Sequence, residues 1–100
     1  MNERGAAFYF ANLGADAARC LSALARDDEE RYQDSLEQAY RTLDYLRGAN
    51  RPEAYEEGLL LLRGLALAHD DPTLRARYGR NLNTLIAPYA EALTTIHKGP

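Results

Sequence analysis

Apolar residues recur at helical spacing along the first half of the chain. In two successive segments they step by three and four residues, which places them on one side of a helix. The first set is Phe10, Leu13, Ala17, Cys20 and Leu24, and the second is Tyr32, Leu36, Ala39, Leu43 and Leu46. Each segment therefore predicts an amphipathic helix that buries this side, with Cys20 as a buried, reduced thiol.

The second half of the chain continues the pattern with one interruption. The third stripe is Tyr55, Leu59, Leu62 and Ala66, and the fourth is Leu74, Tyr78, Leu82, Leu85, Tyr89, Leu93 and Ile96. Pro88 falls inside the fourth stripe, where it removes a helical hydrogen bond and predicts a kink. Alternation with a period of two, which would predict strands, occurs nowhere in the sequence.

Three short stretches predict where the helices end and begin. Asp27 and Glu30 have the spacing of a capping box. Asn50 is followed at the same spacing by another glutamate, and Gly48 is predicted to end the preceding helix. Asp71 precedes a proline, which is typical of an N-cap and the first helical residue. Because these connections are short, we expect one domain over residues 1–100, an all-α, up-down-up-down antiparallel four-helix bundle.

The third helix carries more apolar residues than one buried side needs. At about 100° per residue, Leu60 and Leu67 point away from its stripe, Gly64 lies opposite, and Leu61 lies on the far side. A helix that is apolar nearly all round is buried nearly all round. Two explanations stay open: the kinked fourth helix covers this surface, or a partner helix packs on Leu60, Leu61, Gly64 and Leu67.

Two aromatic residues extend the second explanation. Phe8 and Tyr45 lie nearly opposite the stripes of the first and second helices, and aromatic residues are enriched at protein interfaces. Since two-fold dimers are the commonest soluble assemblies, a second copy of the chain is the first candidate partner. We interpret the chain as a non-catalytic interaction module, an adaptor or chaperone-like subunit that binds itself or another helical protein.

Charge and composition narrow the choice of partner. The formal net charge is −3, whereas nucleic-acid binders normally carry a basic excess, so nucleic acid is a disfavoured partner. The sequence has neither the apolar length of a membrane span nor the pattern of a signal peptide, and we expect a cytoplasmic protein. It contains no cofactor-binding motif, so no cofactor is expected.

Acidic residues are concentrated in the first and third connections, which an antiparallel bundle places at one end. They are Asp27, Asp28, Glu29, Glu30, Asp70 and Asp71, and His69 lies beside the last two. Acids in caps and first turns stabilise helices whatever the function. The spacing of a metal-binding loop is missing, so no metal site is predicted.

One polar face of the fourth helix is a candidate anion contact. Arg77, Arg80 and Asn81 share this face. The planar guanidinium fork suits phosphate and carboxylate groups. A solvated helix face explains the same pattern.

A catalytic alternative rests on one arginine and one histidine. Arg63 and His69 have five residues between them, which resembles the Arg-x(4–6)-His motif of HEPN-type ribonucleases. The resemblance implies a helical bundle that dimerises, with Arg63 and His69 as its catalytic pair. It covers this motif alone, and the sequence departs from the family pattern at Gly64 and at the two aspartates after the histidine.

A third interpretation is a carrier with a small-molecule pocket between its helices. Such a pocket needs a few polar groups that face inward. The predicted core stripes contain no polar residue that argues for it directly.

Overall fold

The computed structural model describes residues 5–84, which form four helices and no strand. Helix α1 spans Ala6–Ala25, α2 spans Glu29–Arg47 and α3 spans Pro52–His69. The described part of α4 covers residues 72–84. The buried residues of these helices form one hydrophobic core. The prediction of an all-α helical bundle is therefore confirmed.

Helices α1 and α2 lie side by side and run in opposite directions. Tyr9, near the start of α1, stacks on Tyr45, near the end of α2, with ring centroids 5.6 Å apart. Towards the other end of the pair, the thiol of Cys20 lies 3.9 Å from the carbonyl oxygen of Tyr32. The up-down-up-down order of all four helices stays a prediction.

The predicted stripes of α1 and α2 are the sides that these helices bury. Nine of the predicted positions are less than a tenth exposed, namely Phe10, Leu13, Ala17, Cys20, Leu24, Tyr32, Ala39, Leu43 and Leu46. Leu36 is partly buried against the same core. Helical periodicity therefore located the packing side of both helices correctly.

The predicted stripe of α3 is correct only in part. Leu62 is buried and Tyr55 is partly buried against the core, but the centre of the buried side is displaced by one residue. The buried residues of this helix are Ala54, Gly58, Leu61, Leu62, Leu65 and Ala68. Leu59 and Ala66, which were predicted to face the core, are exposed. One residue is about 100° of helix rotation, so α3 packs on a neighbouring side. Small residues define that side, because Gly58 lies directly against leucine side chains of α1 and α2.

The first two predicted helix starts are displaced. Asp27 and Asn50 adopt left-handed backbone conformations, with φ of 55° and 61°, which short polar side chains tolerate. The N-cap of α2 is instead Asp28, whose side chain accepts a hydrogen bond from the amide of Arg31 at 3.0 Å. The N-cap of α3 is Arg51, without a side-chain capping bond. Asp27 and Asn50 therefore form the turns before these helices and do not cap them.

The start of α4 agrees with its prediction. The Asp71 carboxylate accepts hydrogen bonds from the amides of Thr73 and Leu74, at 2.9 and 3.3 Å. Gly48 ends α2 as its C-cap, with a right-handed φ of −78°, so this turn does not use the left-handed freedom of glycine. The predicted kink at Pro88 lies outside the described residues, as do Leu85, Tyr89, Leu93 and Ile96.

Candidate interaction surface

The outer side of α3 exposes three leucines, Leu59, Leu60 and Leu67, which we call the outer leucine face. Leu60 and Leu67 are 62% and 61% exposed, and Leu59 is 42% exposed. Residues seven apart on a helix point in nearly the same direction, so Leu60 and Leu67 form one ridge. These two residues point away from the core, as the sequence predicts.

A charged pair runs along one flank of this ridge. Glu56 and Arg63 are exposed and, being seven residues apart, lie one above the other between Leu59 and the ridge. Within residues 5–84 neither side chain takes part in an ion pair. The surface therefore presents leucines beside one acid and one base that are both available to a partner.

Two residues predicted to join this surface face inward instead. Leu61 is only 3% exposed, and its carbonyl oxygen accepts a hydrogen bond from the hydroxyl of Tyr78 at 2.7 Å. A Cβ atom at Gly64 would lie 2.9 Å from the Tyr78 ring. The outward placement predicted for Leu61 is wrong, and at Gly64 the close approach is made by α4 of the same chain.

A groove of about 240 Å³ lies between α3 and α4, beside the outer leucine face. Leu60, Leu61, Tyr78 and Leu82 form its apolar wall. Burial raises the pKa of the Tyr78 hydroxyl, which keeps it protonated as the donor to Leu61. The described part of α4, residues 72–84, thus covers one side of α3 and leaves its outer face open.

Phe8 and Tyr45 lie at another part of the molecule. The Tyr45 side chain is 63% exposed and stacks on Tyr9 with an angle of 14° between the rings. Phe8 meets Tyr9 edge to face, with ring centroids 5.3 Å apart. All three line a groove of about 350 Å³ between α1 and α2, which we call the α1–α2 groove. The structure therefore separates these aromatic residues from the groove that Leu60 lines.

The α1–α2 groove also contains a buried charge that the sequence analysis missed. Asp16 is 2% exposed, accepts a hydrogen bond from the Thr42 hydroxyl at 2.7 Å, and pairs with the guanidinium of Arg19. Asp16 lies three residues after Leu13 and four before Cys20, within the buried stripe of α1. The expectation that the core stripes hold no polar residue is therefore wrong, and this spacing was the signal that could have revealed Asp16.

Cys20 is a buried thiol next to this charge. Burial, followed by the nearby Asp16 carboxylate, raises its pKa to about 11. A thiol with a raised pKa is a poor nucleophile at neutral pH, because the thiolate is the reactive form. Cys20 acts as a core residue, in agreement with its predicted burial.

His69 joins the end of α3 to the start of α2. Its Nε2 atom lies 2.9 Å from a carboxylate oxygen of Glu29, and its Nδ1 atom lies 2.7 Å from Asp70. The ring also packs against Tyr32, with centroids 4.6 Å apart. Hydrogen bonding to Glu29, and then to Asp70, raises the pKa of His69. Both ring nitrogens are thus engaged by carboxylates, and the side chain ties two helices together.

Arg63 and His69 do not converge on one site. Six residues of helix correspond to about 600° of rotation, so the two side chains point about 120° apart. Arg63 is exposed on the outer side of α3, whereas His69 contacts α2. A catalytic pair within one chain needs both groups at the same reacting atom, and this placement gives no support to the ribonuclease alternative.

The acidic connections meet at one end of the bundle, as predicted. Asp27, Asp28 and Glu29 share a pocket with His69 and Arg75. The Arg75 guanidinium donates to the carbonyl oxygens at the end of α3, at 3.2 Å to Ala68 and 2.9 Å to His69. Among residues 5–84, no group of three or more His, Cys, Asp or Glu side chains has an arrangement that could hold a metal ion.

The candidate anion contact on α4 is a solvent-exposed face. Arg77, Arg80 and Asn81 are all exposed. Asn81 also lines the groove between α3 and α4. Among residues 5–84, the two arginines have no buried partner that would fix their guanidinium groups, so their role as an anion contact stays a prediction.

Comparison of the chain with protein-family models, with curated proteins and with solved structures found no significant match. Within the described range, none of the helices combines the length and the apolar character needed to cross a membrane. The surfaces of the chain itself are therefore the basis for inferring its function.

Proposed function

We propose that this chain is a helical association module that forms a homodimer through the outer leucine face of α3. The observation that carries the proposal is the exposure of Leu60 and Leu67, at 62% and 61%, on a helix whose other sides pack within the chain. Exposed apolar surface of this kind marks interaction sites, because its burial removes it from water.

The charges beside the leucines favour a second copy as the partner. A two-fold axis through the middle of α3, between Leu59 and Leu60, pairs each residue with one on an antiparallel copy. Glu56 of one copy then meets Arg63 of the other, and the same pair forms twice. Leu59 of each copy meets Leu60 of the other. The surface is therefore self-complementary, as an isologous interface requires.

The chemistry of this surface is that of recognition. Leucines supply the buried area, and the two Glu56–Arg63 pairs fix the register and the antiparallel direction, since opposite charges across an interface chiefly provide specificity. Such a module serves as an adaptor or a chaperone-like subunit without a reaction of its own. The proposal places it in the cytoplasm, a setting that fits a chain whose one cysteine is a buried thiol.

Light scattering across a concentration series tests the dimer. We expect the wild-type chain to reach twice the monomer mass of 11.2 kDa. Leu60→Glu combined with Leu67→Glu should give a folded monomer, because charged carboxylates would replace two of the leucines that the interface buries. Leu74→Glu is the matched control, since Leu74 is an exposed leucine of α4 and is not part of the outer leucine face.

Charge reversal tests the predicted register. Glu56→Arg or Arg63→Glu alone should weaken the dimer by on the order of tenfold, because like charges then meet across the interface. The two reversals together should restore it, since the pair is rebuilt in the opposite sense. A wild-type chain that stays monomeric up to about 1 mM would rule out the homodimer.

A further inference from the structure

We propose that the α1–α2 groove binds a small molecule that combines a planar aromatic ring with one anionic group. This inference concerns a different surface from the dimer and goes beyond association. Its basis is the convergence of one fixed guanidinium, a stacked pair of tyrosines and a cavity of about 350 Å³. This volume lies within the roughly 300–1,000 Å³ range of small-molecule sites.

Arg19 supplies the anion-binding end of the groove. Its side chain is 61% exposed, whereas its partner Asp16 is 3% exposed. The buried carboxylate therefore stands behind the guanidinium, and the side that faces solvent is cationic. The ion pair uses Nη2 of Arg19, and among residues 5–84 the Nε and Nη1 donors have no hydrogen-bond partner. A guanidinium can engage a carboxylate or phosphate through two parallel hydrogen bonds.

The free-energy cost of burying the Asp16 carboxylate supports a role for this residue beyond packing. Burying a charged group costs free energy unless the group is paired and hydrogen-bonded. Here the buried Asp16 is held on its other oxygen by Thr42 of α2, so both helices fix its position. The consequence is an arginine whose orientation is set before a ligand arrives, which lowers the entropy lost on binding.

Tyr45 and Tyr9 supply the aromatic end. Tyr9 is stacked on Tyr45 and is held edge-on by Phe8, so the ring pair has a fixed orientation. Tyr45 is 63% exposed, which leaves ring surface open to a ligand. Planar bases stack on aromatic side chains with a favourable free energy, and a similar ring gains by the same contact.

The spacing of the two ends sets the size of the ligand. On α2, Thr42 and Tyr45 are three residues apart, or about 4.5 Å along the helix axis. Arg19 reaches back towards the level of Asp16, and Asp16 is bonded to Thr42. On α1, Tyr9 and Asp16 are seven residues apart, or about 10.5 Å, so the two helices bracket the distance from the ring to the guanidinium between about 4.5 and 10.5 Å. A short ring anion such as phenylacetate or phenyl phosphate has the size to bridge this distance. Exposed amides of Asn12 and Gln38 line the rim and can bond ring substituents.

The experiment is an NMR titration of the full-length, isotopically labelled chain with a matched set of probes. Phenylacetate and phenyl phosphate carry both features and distinguish a carboxylate from a phosphate. Cyclohexylacetate lacks the aromatic ring, phenylacetamide lacks the charge, and phenethylamine reverses it. We expect saturable shifts at groove residues with one or both ring anions, and affinities lower by on the order of tenfold for the other three.

Two variants and two controls locate the site. Tyr45→Ala removes the stacking surface, and Arg19→Lys keeps a positive charge beside Asp16 but removes the planar fork. Each should weaken binding of the ring anion by on the order of tenfold. Tyr40→Ala and Arg47→Gln change an exposed tyrosine and an exposed arginine of α2 outside the groove, and neither should alter the affinity. Circular dichroism checks that each variant is folded.

Saturable binding of a ring anion that both groove variants weaken and both controls retain supports the site. Binding that survives Tyr45→Ala and Arg19→Lys, stronger binding of phenethylamine, or no saturable shift with either ring anion would overturn it.

Discussion

The two sides of α3 use leucine for different purposes. On the inner side Leu62 and Leu65 are 2% and 0% exposed, and they pack among the other helices. On the outer side Leu60 and Leu67 are more than half exposed. The four residues lie within eight positions of one helix and have the same side chain. Leucine alone therefore does not tell which side of a helix packs within the chain.

Small residues on one side of α3 allow that side to pack closely against other helices. Ala54, Gly58 and Ala68 all lie on the buried side of α3. At Gly58 an added Cβ would meet leucine side chains from α1 and α2 at 2.9 to 3.1 Å, so the helices approach closely there. Close approach lets the inner leucines interdigitate with those of α1 and α2. The outer side lacks such a neighbour within the described residues, and its leucines remain open.

The largest expected effect separates the two sides directly. Leu62→Ala should lower the free energy of unfolding by about 2–5 kcal/mol, because it leaves a cavity in the core. Leu60→Ala should change it by less than about 0.5 kcal/mol at concentrations where the chain is monomeric. Urea unfolding followed by circular dichroism measures both. Equal losses in the two variants would mean that the outer leucine face is covered within the chain.

A smaller effect concerns the glycines of α3 and α4. Gly58→Ala should lower the free energy of unfolding by about 1–2 kcal/mol, since overpacking outweighs the gain in helix propensity. Gly64→Ala should cost less than about 1 kcal/mol, because only the Tyr78 ring must move.

Gly79→Ala is the matched control for this glycine series. A Cβ there would meet Leu21 at an ordinary 3.8 Å, so the variant should gain about 1 kcal/mol from helix propensity. Urea unfolding of the three variants ranks them. A Gly58→Ala variant as stable as Gly79→Ala would contradict the close approach of α3 to α1 and α2.

The smallest effect is a pH dependence at the end of α3. The pKa of His69 is raised by hydrogen bonds to Glu29 and Asp70, so its contribution is complete below the ordinary histidine pKa of 6.5 and is lost as the pH rises through the folded value. The pKa of Glu29 is lowered by hydrogen bonds to Gln33 and then to His69, so its contribution is lost as the pH falls below its ordinary value of 4.5.

These opposite signs define one window. The pair contributes most between about pH 4.5 and pH 6.5. His69→Gln should therefore lower the midpoint of urea unfolding at about pH 5.5 and leave it nearly unchanged at about pH 9, where the wild-type histidine is neutral. The same loss at both pH values would show that only the packing of His69 against Tyr32 matters.

The sequence predicted the helices better than it predicted their contacts. The stripes of α1 and α2 were correct because each pairs large apolar positions with clearly polar ones. The stripe of α3 was displaced by one residue because apolar residues surround that helix. A prediction that gives most weight to large side chains does not place the small residues Gly58 and Ala54 on the buried side. The connections were located, but Asp27 and Asn50 take left-handed conformations that capping patterns do not indicate.

The candidate surfaces show the same limits. The exposure of Leu60 and Leu67 followed from helix geometry alone. Leu61 was placed on the wrong side because the predicted buried side of α3 was displaced by one residue. Gly64 is covered by the ring of Tyr78, which belongs to another helix. The burial of Asp16 could be inferred from its spacing in α1, but its partner Thr42 is 26 residues away and required a tertiary argument. Long-range pairing of this kind is not visible in local periodicity.

The short connection between α1 and α2 has a consequence for how the chain folds. Only residues 26–28 separate these helices, so closing the pair loses little chain entropy. Contacts that are local in sequence favour rapid folding. We therefore expect the α1–α2 hairpin to form early and to present the surface on which α3 docks. The orientation of α3 and α4 would then be set by packing against helices that have already formed.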